Sequence, residues 1–174
     1  MTERYHRILR DPLFSSELAR IQQLEGDRIY CGHDICHLLD VARITYISVL
    51  ERLLSDPAAF CGRKPEELKD LIYAAALLHD IGRGREYEEG ISHDRASAAI
   101  AEEILPRCEY SPEESDQILR MIRSHRGQDA PSGDHTDLAI LLKEADRLSR
   151  LCFTCSAADT CKWDSHKKNQ TIIR

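Results

Sequence analysis

Apolar residues recur at intervals of three and four along most of the chain, the spacing of helices with one buried face. Ile35, Leu38, Leu39, Ala42, Tyr46, Val49 and Leu53 form one such stripe and predict a helix over residues 33–55, ended by Asp56-Pro57. Leu68, Leu71, Ile72, Ala75 and His79 form the next, over residues 65–80, with Pro65 suited to its first turn and Glu66 and Glu67 at the positive end of its dipole. A shorter helix is expected over 93–105, where His93, Ala96, Ser97, Ile100 and Ile104 share a face and Pro106 follows the end. Ser111-Pro112-Glu113-Glu114 reads as a capping box opening a helix with Ile118, Met121, Ile122 and His125 inward and Gly127 as its stop. Thr136 or Asp137 starts a last helix, with Leu138, Leu141, Leu142, Ala145 and Leu148 inward and Asp146 alongside.

Ahead of these, residues 1–30 predict one or two short helices broken at Asp11-Pro12, with Ser15 or Ser16 as a cap and Gly26-Asp27 as a turn. Ile81-Gly82-Arg83-Gly84-Arg85 reads as a flexible basic loop running to about Gly90, and residues 127–135 as a polar loop. The 8 glycines and 6 prolines fall between periodic segments, which points to an all-α fold. One helical domain is expected over residues 1–151, followed by a cysteine-containing C-terminal extension over 152–174 whose final residues fray.

Composition narrows the function. At 174 residues and 42% hydrophobic, the chain can bury a proper core. A formal net charge of −6 makes nucleic acid a poor partner, although a small phosphorylated substrate needs only a local basic pocket. No apolar run reaches the length of a membrane span, and the start lacks the apolar stretch of a signal peptide. Seven cysteines, an odd number unevenly spaced, favour reduced thiols and a cytoplasmic location. Nothing in the chain specifies an oligomeric state.

The candidate chemistry lies in histidines at helix ends. His37 is near the start of its helix, His79 at the end, His93 at the start and His125 at the end. If successive helices pack antiparallel, all four reach the same end of the bundle, where helical folds build metal sites. Asp80 follows His79 directly. Asp146 fits less well: it lies about ten residues into its helix, some 15 Å from the start at 1.5 Å per residue. Either that helix crosses the others steeply or Asp146 is not a ligand. His33, four residues before His37, could face the same metal, but the plainer reading makes His33 and Asp34 exposed residues at a helix start. Histidines and carboxylates without thiolate suit Fe, Mn, Co, Ni or Zn with open water positions.

His37-Leu38-Leu39-Asp40-Val41-Ala42-Arg43, then Ala76-Leu77-Leu78-His79-Asp80-Ile81-Gly82-Arg83, then Ala145-Asp146-Arg147-Leu148 resemble the H…HD…D signature of the HD-domain superfamily of metal-dependent phosphohydrolases, over roughly residues 30–150. The resemblance implies an all-α bundle in which His37, His79, Asp80 and Asp146 hold one divalent metal, with Asp80 bridging if two are present. It also implies that Asp146 reaches the site, against the simple packing argument. His93 and His125 resemble the extra histidines of binuclear members; the alternative is a supporting, hydrogen-bonding role. The implied reaction is hydrolysis of a small phosphate ester, such as a nucleotide, by a metal-bound hydroxide, as a phosphomonoesterase or phosphodiesterase. Asp80 is the expected catalytic residue. Arg83 and Lys143 are candidate phosphate contacts, Arg85 reads rather as a surface charge, and Glu86, Tyr87, Glu88 and Glu89 could form a lid.

In the extension, Cys152-x-x-Cys155, Cys161 and His166 could form a second site holding a structural zinc. The bland alternative packs Cys152 and Phe153 inward and leaves the other thiols free; Cys31, Cys36, Cys61 and Cys108 read as ordinary buried or surface thiols, one of which could complete a thiolate site in three dimensions. Two other functions compete with the hydrolase: a di-iron oxygenase on the same fold, as some HD proteins with a similar ligand set are, and a non-enzymatic metal- or redox-sensing module acting through the cysteines.

Overall fold

Helix α4 (Pro65–Leu78) is the hub of the structure: from Leu68 to Leu78 it is buried almost throughout, and it packs on α1 (Tyr5–Ile8), α3 (Ile35–Ser55), α6 (His93–Arg107), α7 (Pro112–Ser124) and α8 (Leu138–Leu148). The computed structural model describes residues 3–126 and 137–172 and contains no strand among them. The remaining helices are α2 (Pro12–Leu24) and α5 (Arg83–Glu89), and short 3₁₀ turns lie at Ala59–Gly62, Cys152–Thr154 and Ser165–Lys167. The fold is all-α. The polar loop expected at 127–135 and the last two residues of the expected frayed end lie outside the described residues. Among the described residues no helix is long and apolar enough to cross a membrane.

The apolar stripes form the core. Leu38, Ala42 and Val49 of α3, Ile118, Met121 and Ile122 of α7, and Leu141, Leu142 and Ala145 of α8 are buried against α4 and one another. The Ser111 capping box forms as expected, Glu114 Oε2 accepting from the Ser111 N–H at 2.8 Å. Three local expectations need correction. α2 is capped not by Ser15 or Ser16 but by Asp11, whose Oδ1 accepts from the Leu13 N–H at 2.9 Å with Pro12 at the first position. Pro106 lies inside the last turn of α6 instead of beyond it. The expected flexible loop after Ile81 is largely helix α5.

The N-terminus is fastened across the hub by charge. Arg4 donates to Asp70 of α4 at 2.8 Å and, in bidentate fashion, to Glu114 of α7 at 2.7 and 2.6 Å. Its guanidinium also stands 4.4 Å from the centroid of the Tyr110 ring. Asp70 accepts from the Tyr5 backbone N–H at 3.3 Å and is mostly buried. Replacing Asp70 by Ala leaves the Arg4 Nε–H and the Tyr5 amide without their acceptor, while Glu114 still holds the rest of the guanidinium, a loss of about 2–3 kcal/mol. The expected result is a melting temperature lower by roughly 4–12 °C for a domain of this size. A melt within a degree of wild type would show that this network stabilises nothing.

Candidate metal centre

Each inward histidine owes its aim to its place at a helix end. α4 stops at Leu78 and leaves late carbonyls without helical partners. His79 caps it and turns Nδ1 back to the Ala76 carbonyl at 2.7 Å. His125 caps α7 in the same way, with Nδ1 2.5 Å from the Ile122 carbonyl. Once Nδ1–H is donated there, Nε2 carries the lone pair. His93 opens α6 and directs Nδ1 to the Glu86 carboxylate at 2.9 Å. His37, in the first turn of α3, has Nδ1 3.3 Å from Ser149 Oγ, whose hydroxyl donates to the Asp146 carbonyl at 2.8 Å.

The Nε2 atoms surround Asp80, which is fully buried. Its Oδ2 lies 3.4 Å from His37 Nε2 and 3.3 Å from His79 Nε2; its Oδ1 lies 3.3 Å from His93 Nε2 and 3.8 Å from His125 Nε2. Asp146 Oδ1 lies 3.5 Å from His37 Nε2 and 4.0 Å from His79 Nε2. His37, His79, Asp80 and Asp146 thus offer ligand atoms within 4.8 Å of one another, and so do Asp80, His93 and His125. Among the described residues these are the groups of three or more that could hold a metal. The Nε2 atoms of His37 and His79 are buried without a hydrogen-bond partner. A buried polar atom left so is costly unless something binds it, and a cation among imidazoles and carboxylates fits that need.

The electrostatics follow from this crowding. Burial alone would drive Asp80 neutral, but the imidazoles crowded around it, His79 first and then His125 and His37, hold its carboxyl well below the usual range. Burial likewise opposes charge on His37 and His125, yet Asp80 raises both above the ordinary histidine value. His93 goes the other way: burial brings it down to about 4, with Asp80 opposing and Arg83 adding to the fall.

Asp146 reaches the centre because α8 runs toward it. In a simple up-and-down bundle α8 would start where α7 ends; instead α7 and α8 both finish at the site, and Asp146 is in the last turn of α8 beside the start of α3. His33 also departs from expectation. It is buried, with Nε2 3.8 Å from Asp80 Oδ2 and Nδ1 2.5 Å from the Glu25 carboxylate, while Asp34 is the exposed cap of α3. Burial favours neutral Glu25, but bonds from His33 and Tyr87 outweigh it and hold its pKa at about 2.

Arg83 and Lys143 both line a cavity of about 710 Å³ that also meets His93, His125 and Asp146. Arg83 Nε donates to Asp80 Oδ1 at 2.9 Å and its Nη1 to Glu86 at 3.1 Å. Arg85 instead pairs with Glu17 of α2 at 2.9 Å. The stretch open to a lid reading is helical and tied down: Glu86 to His93, Tyr87 to Glu25, and Glu88 and Glu89 to Arg20. Gly82 has an ordinary φ of −86°; it is needed because a Cβ there would meet the Ser97 backbone nitrogen at 2.3 Å. Its N–H donates to Ser97 Oγ at 2.9 Å.

The cysteines form no such cluster. All seven are unbonded, and Cys152, Cys155, Cys161 and His166 belong to neither ligand group found among the described residues. Phe153 is 38% exposed, so it packs only in part, against the full inward packing considered for it. Burial, with Cys152 and Cys155 nearby, pushes the Cys31 thiol up, away from thiolate. What anchors this segment is Asn169, whose Nδ2 faces the carbonyls of Arg147, Leu148 and Arg150 at 2.9, 3.1 and 2.9 Å and so caps the end of α8. Glu25, Glu86 and Ser149 orient the histidines, yet nothing in their sequence spacing announces it.

A profile for the HD domain matches residues 34–151. An uncharacterized protein of Clostridium beijerinckii is 37% identical over 170 residues, covering 98% of each chain. A bifunctional uridylyltransferase/uridylyl-removing enzyme of Gluconobacter oxydans is 29% identical over 129 residues, 72% of this chain and 13% of that enzyme. Its counterpart in Bradyrhizobium diazoefficiens is 34% identical over 62 residues, 36% of this chain and 6% of that enzyme. The chain therefore spans a small part of those two enzymes. No solved structure matches it.

Proposed function

The chain belongs to the HD-domain family, and from that premise we propose that it is a metal-dependent phosphohydrolase acting on a small phosphate ester, with nucleotides the leading substrate class. The observation that carries this is the pair of buried, partnerless Nε2 atoms of His37 and His79 facing Asp80 and Asp146. His37, His79, Asp80 and Asp146 would hold one divalent cation; Asp80, His93 and His125 would hold a second, with the two oxygens of Asp80 turned one to each group. Such a cation acidifies water toward neutral pH and neutralises phosphoryl oxygens.

The chain's own residues supply the rest. Glu86, Ser149 and the helix-end carbonyls hold the imidazoles in one tautomer. Arg83, on the cavity wall, is placed to donate to a phosphate oxygen while keeping contact with Asp80, and Lys143 offers a second charge one turn before Asp146. A uridylyl-removing activity in the name of two relatives is consistent with a nucleotidyl ester as substrate.

The test is metal analysis of the purified protein together with a panel of phosphomonoesters and phosphodiesters before and after chelation. We expect bound Fe, Mn, Co, Ni or Zn, and hydrolysis that chelation removes and added metal restores. A folded protein that takes up no divalent ion would overturn the reading. A pair of oxygen-reactive irons, seen by absorption or electron paramagnetic resonance, with no hydrolysis would replace it by the oxygenase.

A further inference from the structure

The wall of the larger cavity is completed by residues beyond the stretch that matches the family. That match ends at 151, whereas Lys162, Trp163 and Lys167 line the cavity beside His93, His125 and Asp146. Lys162 and Trp163 also line a second cavity, of about 440 Å³, that reaches His33, His37 and Asp146 on the other side of the centre. The chain is acidic overall, at −6, yet this wall is cationic. Arg150, Lys167 and Lys162 gather about a single indole: their charged groups lie 4.7, 5.4 and 5.6 Å from the centre of the Trp163 ring.

Three like charges around one ring repel each other, and cation–π attraction is worth only about 0.5–1 kcal/mol apiece at exposed sites. Among the described residues neither Lys162 nor Lys167 makes an ion pair with a carboxylate; Arg150 has only Asp146, at 3.9 Å. Cations gathered in this way suit a ligand with several negative charges. A single phosphate would be met by Arg83 and Lys143, nearer the metal ligands. A cavity of about 710 Å³ is the size of a whole small-molecule site, and its cations continue past those two toward the C-terminal segment.

We propose that the segment after α8 is a polyphosphate clamp, in which Lys162, Lys167 and Arg150 around Trp163 bind the second and later phosphates of a ligand whose first phosphate is met by Arg83 and Lys143. Calling that ligand the substrate rests on the phosphohydrolase reading; the clamp itself does not. Asn169 holds the clamp in place by fastening the segment to the end of α8, and the Tyr30 hydroxyl, 3.2 Å from the Thr160 carbonyl, holds its middle.

Trp163 is the chain's one tryptophan, so its fluorescence reads the site directly. Metal-free protein is titrated with inorganic phosphate, pyrophosphate, tripolyphosphate and a nucleoside triphosphate. Saturable fluorescence changes are expected for the polyphosphates, with affinity at least roughly tenfold above that for phosphate, since each charge-assisted bond is worth about a decade of affinity. The inorganic and nucleoside arms tell whether the phosphate chain suffices or a base is needed as well. Lys162→Ala/Lys167→Ala should lose that preference with unchanged helical content and metal uptake, while Lys162→Arg/Lys167→Arg should keep it. Equal affinity for phosphate and tripolyphosphate, or a double alanine variant that binds like wild type, overturns the clamp. Because no metal and no turnover enter this titration, a chain that binds tripolyphosphate but hydrolyses nothing overturns the hydrolase and spares the clamp.

Discussion

Asp80→Ala is expected to remove bound metal and phosphoester hydrolysis together. Every inward histidine of the centre converges on this carboxylate, with His33, His37 and His79 at one oxygen and His93 and His125 at the other. Loss of a residue that merely orients a ligand costs about 10- to 100-fold in metal affinity or activity. Loss of a residue shared by both ligand groups should exceed that range, and the measurement is elemental analysis alongside turnover. Stability must be read separately, because Arg83 loses a buried partner when the carboxylate goes. Asp80→Asn keeps the shape and discards the charge, so it should stay folded and still fail to hold metal. An Asp80→Ala protein with wild-type metal content and rate would end the assignment of this carboxylate.

Gly82→Ala carries the largest expected loss of stability from a single methyl group. The added Cβ would stand 2.3 Å from the Ser97 nitrogen and 2.7 Å from the carbonyl carbon and Cβ of Ala96. Flexible side chains can yield to such a contact; the backbone of α6 cannot yield without moving as a helix. Overpacking costs about 1–3 kcal/mol and occasionally more, and the upper end applies here. That corresponds to a melting temperature lower by roughly 6–12 °C. Because His93 opens α6, the displacement should also weaken the His93–His125 side of the centre. Gly26→Ala is the control, since a Cβ there meets nothing nearer than a carbonyl oxygen at 3.4 Å. Equal melting of the two variants would refute the close-approach explanation.

These two variants also mark what a reader of the sequence can and cannot see. The three-four spacing of apolar residues locates α3, α4, α6, α7 and α8 to within a residue or two, because each turns an apolar stripe into the common core. The histidines at helix ends stand out for the same reason. Asp146 is not reachable by that logic, since helix direction depends on where the preceding connection returns, and only the resemblance to HD proteins brings it in. Gly82 reads as a helix stop when judged along the chain, whereas its reason lies across it, in the backbone of α6. His33 and Glu25 meet through space after a turn, and no periodicity relates them. The Cys-x-x-Cys spacing draws attention to the C-terminal segment for thiols, while the contacts there belong to Asn169, Trp163 and the lysines.

The way the histidines are aimed divides the centre into a part fixed by the main chain and a part set by side chains. His79 and His125 are oriented by carbonyls of their own helices, which no substitution at Ala76 or Ile122 can take away. His93, His33 and His37 are oriented by the side chains of Glu86, Glu25 and Ser149, each of which one codon change can alter. A substitution there can therefore alter the aim and basicity of these three imidazoles without disturbing His79 and His125. Substitutions at Glu25, Glu86 and Ser149 are the ones expected to retune the proposed metal centre while leaving its ligands in place.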